Sequence, residues 1–235
     1  MMTMAAIIVA LSVVSSCVPK SQNNSDASTQ FDNLDPQLRD LPTDDPLTLL
    51  KKGNKRFVLN KTQYVNEDSI RVKELIEGQN PKAIIVGCSD SRVAPEVLFD
   101  QGLGDLFIIR TAGNVMDNFE LGSIEYAAEH LHTKLIVVMG HTSCGAIQAM
   151  LDHCNPEADH QHAVPGHIAS IVKALEKSVS DKSTPDQASI SNVRNGVNQL
   201  KSSEPILKGL FEKGKVQIVG AIYHIETGEV EFLDI

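Results

Sequence analysis

Four short runs along the chain, 82–88 (KAIIVGC), 105–110 (DLFIIR), 134–140 (KLIVVMG) and 216–222 (VQIVGAI), are almost continuously apolar and rich in β-branched residues. Apolarity that is continuous rather than alternating predicts strands covered on both faces. Helical spacing fills the gaps, most clearly at 119–131 (FELGSIEYAAEHL), then at 143–152 and 166–180. Upstream, Leu47, Leu49, Leu50, Phe57, Val58 and Leu59 predict a helix from Pro46 toward Asn60, and Ser69 to Glu77 predicts a second that ends at Gly78. Strands alternating with helices imply an α/β fold, a mainly parallel sheet of about four strands flanked by helices. The stretch His224 to Leu233 predicts a turn at Thr227-Gly228 and a short strand, EVEFL, that adds an antiparallel edge. Segments 154–166 and 178–190, rich in Ser, Asp, His and Pro, are expected to be loose.

The amino terminus has a different pattern. An apolar stretch from Ala5 to Val14 is too short to span a bilayer comfortably and reads as an export signal. The run Val14-Ser15-Ser16-Cys17 resembles a bacterial lipobox, which would make Cys17 a lipidated anchor. Beyond Cys17 the chain is polar and poor in apolar residues, as a tether should be. The chain therefore divides into a signal over 1–17, a tether over 18–45 and one folded domain over 46–235, with folding expected to begin near Asp45. The expected location is the periplasm or the outer membrane, with membrane contact only through the anchor.

Composition narrows the function classes. Thirty acidic against 21 basic residues give a formal charge of -9, which offers no footprint for a nucleic-acid backbone. Aromatic content is 4% with no Trp, so stacking platforms for single strands are missing too.

The predicted strand ends carry the chemistry, where ligands of open parallel sheets gather. Cys88 ends the first strand inside GCSDSR, and His141 and Cys144 come after the third in GHTSCGA. Two thiolates and an imidazole suit zinc, and three protein ligands leave one position open, as in catalytic sites. Two buried cysteines and a packed histidine would be the bland alternative. Asp90 and Arg92 are one residue apart, so in extended chain they point to the same side. The carboxylate could fill the open position, pair with the guanidinium and accept a hydrogen bond from a metal-bound water, or serve only as a salt bridge capping a turn.

CSDSRVAPE, RTAGN, GSIEYAAEHL, GHTSCGA and the tail VGAIYHIETGEVEFL, in this order over nearly all of 46–235, resemble the β-class carbonic anhydrases. The resemblance implies reversible hydration of CO2 to bicarbonate and a proton, by attack of a zinc-bound hydroxide, with one Zn2+ per subunit in a homodimer or dimer of dimers. It implies Cys88, His141 and Cys144 as ligands and Asp90 and Arg92 as a dyad that orients the zinc water, with Asp90 as a fourth ligand in a closed form. Gln79 and the Gly145 amide are implied to bind substrate, and Phe107, Ala112 and Tyr126 to line an apolar pocket partly across the dimer interface. Thr111 stands where the family commonly has asparagine. A related enzyme reading is hydrolysis of carbon disulfide or carbonyl sulfide at the same site, and a non-enzyme reading is a zinc-binding lipoprotein with a retired site. His153, His160, His162 and His167 read mainly as solvated loop histidines, with a proton shuttle as the sharper alternative, and Cys154 as a spare thiol.

Overall fold

The computed structural model describes residues 45–155, 164–179 and 184–235. The expectations for the signal, Cys17, the tether, His160 and His162 lie outside these residues. Among the described residues no helix is long and apolar enough to cross a membrane.

A five-stranded sheet in the order β2-β1-β3-β4-β5 forms the centre. Its strands are β1 (Ala83–Cys88), β2 (Leu106–Thr111), β3 (Leu135–His141), β4 (Gln217–Tyr223) and β5 (Val230–Leu233). The first four run parallel, and β5 pairs antiparallel with β4 through Tyr223 and Val230. This is the predicted architecture, edge strand included. Every residue of β1 and β3 is buried, because helices cover both faces of the middle of the sheet.

The helices are α1 (Pro46–Val58), α2 (Ser69–Glu74), α3 (Pro95–Leu98), α4 (Asn118–Glu129), α5 (Gly145–Cys154), α6 (Ile168–Ser178), α7 (Pro185–Ser202) and α8 (Leu207–Glu212). Their starts are written in the sequence. Asp45 accepts from the Thr48 amide at 2.9 Å ahead of Pro46, and Asp117 with Glu120 closes a capping box on α4. Alternate strand residues then sort the core. Ile84, Val86, Ile136 and Val138 pack with Ile124 and Ala127 of α4 and Val193 and Val197 of α7, whereas Ile85, Val137 and Met139 face Leu50 of α1 and Leu98 and Phe99. A third cluster gathers Cys88 and Cys144 with Ile147 and Met150 of α5 and Leu175 of α6.

One expectation needs correction. The stretch 178–190 was expected to be loose, yet α7 begins at Pro185 behind a Thr184 cap and runs 18 residues. Its buried stripe includes Ser189, Ser191, Asn192 and Gly196 beside Ala188, Val193, Val197 and Leu200, so the apolar period is interrupted by small and polar residues. Gly196 admits α7 close to the sheet, since a Cβ there would meet Val138 at 3.1 Å.

Candidate metal centre

Parallel strands place their carboxyl ends side by side, and the centre forms there. Cys88 closes β1, His141 closes β3, and Cys144 is the N-cap of α5. One donor atom from each lies within 4.8 Å of the other two, and all three residues are buried. His141 Nδ1 sits 2.8 Å from the Thr142 carbonyl oxygen. A carbonyl only accepts, so Nδ1 carries a proton, and in the neutral ring Nε2 keeps its lone pair. That Nε2 is the one buried side-chain nitrogen or oxygen among the described residues without a hydrogen-bond partner. A buried acceptor without a donor beside two sulfurs suits a cation.

The protonation of each of the three groups depends on its neighbours. The adjacent Cys144, together with the nearby His141 ring and the amides of Asp90 and Gly113, holds the Cys88 thiol well below its usual range against burial. Its hydrogen bond to Cys88, and burial, push the Cys144 thiol up. Burial disfavours the His141 imidazolium, but the Cys88 sulfur, the Thr142 carbonyl and the Asp90 carboxylate together outweigh it and raise the pKa. Two thiolates cannot share this apolar pocket unaided, and a divalent cation removes that obstacle by displacing the remaining proton. Sulfur and imidazole donors fit zinc.

The GCSDSR turn is held on several sides. The Asp90 and Gly113 amides donate to the Cys88 sulfur at 3.4 and 3.3 Å. Arg110 donates from Nε to the Cys88 carbonyl at 2.9 Å and from Nη2 to the Asp90 carbonyl at 2.6 Å. Arg92 grips the Asp90 carboxylate in a fork, Nε to Oδ1 at 2.9 Å and Nη2 to Oδ2 at 2.7 Å, and its own amide donates to Oδ1 at 2.9 Å. The guanidinium therefore holds the Asp90 carboxyl well below the usual carboxylate range. The same Nη2 reaches the Ser143 carbonyl at 3.2 Å, joining the dyad to the loop between the other two donors.

Of the residues singled out in the sequence, Cys88, Asp90, Arg92, His141, Cys144 and Gly145 come together at the strand ends. Asp90 lies on Arg92 rather than among the three donors. Gly145 opens α5 and is exposed, and a Cβ there would meet open space, so its main chain is accessible to a small ligand. Ala112 is half-buried in the 3-10 turn Ala112–Asn114 next to Gly113. The Thr111 hydroxyl donates to the Val115 carbonyl and so braces that turn.

Gln79, Phe107 and Tyr126 lie elsewhere. Gln79 precedes β1 and lines a surface hollow with Val72, Leu75 and Leu103, so the length of β1, about 17 Å, separates it from Cys88. Phe107 pairs with Ile84, four residues or about 13 Å before the Cys88–Thr111 pair. Its ring lies 6.4 Å from that of Tyr126, which in turn lies 5.4 Å from His130. His153 and Cys154 end α5, about 14 to 15 Å along the helix from Cys144. His153 faces Glu176 at 3.6 Å, the Cys154 sulfur lies 3.5 Å from the same carboxylate, and His167 precedes α6.

Sequence reasoning missed three supports. Arg110 belongs to the RTAGN block, but its bonds to two β1-turn carbonyls leave no local signature. Gly113 has φ +67°, and a Cβ on it would press on Ala146 and Leu175, so glycine is required for its amide to face the Cys88 sulfur. Buried Asn192 of α7 holds the Gly113 carbonyl at 2.8 Å while accepting from the Ser178 hydroxyl at 2.7 Å.

Comparison with known proteins agrees with this reading of the fold. The family model described as carbonic anhydrase matches residues 83–230. A carbonic anhydrase of Mycolicibacterium smegmatis is 41% identical over 199 residues, 81% of this chain and 95% of the relative. Carbonic anhydrase 2 of Mycobacterium tuberculosis is 39% identical over 191 residues, 79% and 90% of the two chains. The crystal structure of the β-carbonic anhydrase CafA of Aspergillus fumigatus has a TM-score of 0.60 at 27% identity, covering 77% of this chain and 87% of that one. A mostly parallel sheet with soft donors at its strand ends defines an α/β metalloenzyme domain. The chain belongs to the carbonic anhydrase family, in its β class, and is an enzyme of the carbonate dehydratase type.

Replacing Asn192 by Ala strands the buried Gly113 carbonyl, whereas the Ser178 hydroxyl keeps the Leu175 carbonyl at 3.0 Å. The expected loss of unfolding free energy is about 1–3 kcal/mol in urea titration. An unchanged midpoint would remove Asn192 from the support of the Cys88 cradle.

Proposed function

We propose that the chain catalyses CO2 + H2O ⇌ HCO3− + H+ with one Zn2+ per subunit held by Cys88, His141 and Cys144. The observation that carries this reading is the buried trio of donors, with its orphan His141 Nε2, next to a carboxylate that Arg92 holds in a fork. When bound, zinc supplies the Lewis acidity that makes a nucleophile of water near neutral pH.

The chain's own residues do the rest. Held by the Arg92 fork, Asp90 acts as a hydrogen-bond acceptor that orients the attacking water, and Arg92 keeps it from joining the donors. CO2 is small, apolar and uncharged, so it needs only a dry pocket beside Ala112 and the start of α5. Charge appears as bicarbonate forms, and the Gly145 amide at the positive end of α5 favours it there. The proton released passes to solvent.

The same reading assigns Gln79, Phe107 and Tyr126 to the pocket of a neighbouring subunit. Support comes from their distance from Cys88 in their own chain and from exposed apolar side chains around them. Ile70, Val72 and Ile76 are 65%, 54% and 72% exposed, and Phe119 and Tyr126 are 88% and 48% exposed. Sedimentation equilibrium is expected to give a dimer or a dimer of dimers, and a monomer at every concentration would contradict this.

In stopped-flow CO2 hydration, the zinc-loaded chain is expected to be active, and Asp90→Asn or Arg92→Ala to lower kcat/KM about 10- to 100-fold while one zinc per chain is retained. Wild-type rates in both variants would refute the dyad, and an inactive loaded wild type would refute the function.

A further inference from the structure

The turn between β4 and β5 reaches back to the loop that carries two of the three donors. Glu226 Oε2 accepts from the Thr142 hydroxyl at 2.8 Å. That hydroxyl in turn accepts from the Ile225 amide at 3.0 Å, which leaves its own proton only the carboxylate to point at. The Thr142 amide donates to the Tyr223 carbonyl at 3.0 Å, and its carbonyl is the acceptor that orients His141 through Nδ1. Thr142 is thus fixed at its amide, its side chain and its carbonyl, and the last of these decides where His141 Nε2 points.

Ser143, the next residue, has φ +54°, a left-handed conformation that a non-glycine residue adopts only when its surroundings impose it. Its carbonyl is held by Arg92 at 3.2 Å, and its hydroxyl lies 3.5 Å from Glu226 Oε1. One carboxylate therefore touches both residues between His141 and Cys144. Metal-binding histidines are set by the partner of their second nitrogen, and loss of such outer contacts weakens metal binding.

We propose that Glu226 is a positioning residue for the metal centre, acting through the Thr142 hydroxyl to hold the Thr142 carbonyl on His141 Nδ1. This rests on the reading of Cys88, His141 and Cys144 as zinc ligands. Glu226 is exposed and touches none of the three donors, so its effect appears in how long metal is held and not in which atoms hold it.

The test is the rate at which a chelator strips zinc from the loaded full chain, compared among wild type, Glu226→Ala, Glu226→Gln, Thr142→Val and the Glu226→Ala/Thr142→Val double variant. Glu226→Ala is expected to lose zinc about tenfold faster. Glu226→Gln should restore the slow rate, because its amide oxygen still accepts from Thr142. The double variant should release zinc no faster than Thr142→Val alone, since both changes break one route. Wild-type release from Glu226→Ala, equal leakiness of Glu226→Gln, or additive effects in the double variant would each overturn the assignment while leaving the metal reading intact. A wild type that takes up no zinc would overturn both. Should Glu226→Ala fail to fold, wild-type release from Thr142→Val would overturn the route by itself.

Discussion

Two sulfurs and a ring nitrogen share one buried pocket, and most of the surrounding structure exists to make that tolerable. A thiolate is costly to bury without donors, and a pair of them is costlier still. Cys88 meets the first cost with two main-chain amides, from Asp90 and Gly113, each fixed by something further out. Arg110 pins the Asp90 carbonyl, and Asn192 pins the Gly113 carbonyl. The second cost is met only by a cation. The centre thus couples a preformed cradle for one charge with a donor set that suits a cation.

Parallel topology is what makes this compact. The ends of β1 and β3 bring Cys88 and His141 together with no loop of any length, and α5 starts close behind His141 to deliver Cys144 and Gly145. Arg92 links the two ligand loops, holding Asp90 on one side and the Ser143 carbonyl on the other. An arginine suits that task because its planar fork can satisfy a carboxylate and still donate to a third oxygen. The Asp90 carboxylate is therefore tied to the conformation of the loop between His141 and Cys144.

Legibility in the sequence depended on the kind of interaction involved. The strands read directly, because burial on both faces forces runs such as AIIVG and LIVVM. The donors at their ends could be found from residue type and position alone, since ligands need both a soft atom and a fixed backbone. Glu226 and Asn192 gave no such signal. Each acts on a main-chain group or hydroxyl that lies 84 or 79 residues away in sequence, and only the fold supplies that proximity. The helix α7 was missed for a related reason: its buried face uses Ser189, Asn192 and Gly196 for close approach and hydrogen bonding, which reads as loop composition. The place of Gln79 was not legible either. Its spacing to Cys88 in sequence is short, while the intervening β1 carries the two toward opposite ends of that strand.

The central claim is that Cys88, His141 and Cys144 form a zinc site whose protein ligands stop at three, with Asp90 held back by Arg92. X-ray absorption at the zinc edge of the loaded full chain tests it most directly. The account predicts two sulfur ligands and the scattering signature of one imidazole, with Asp90→Asn leaving the spectrum unchanged. A spectrum without two sulfurs, or one altered by Asp90→Asn because the carboxylate was a ligand, would contradict it.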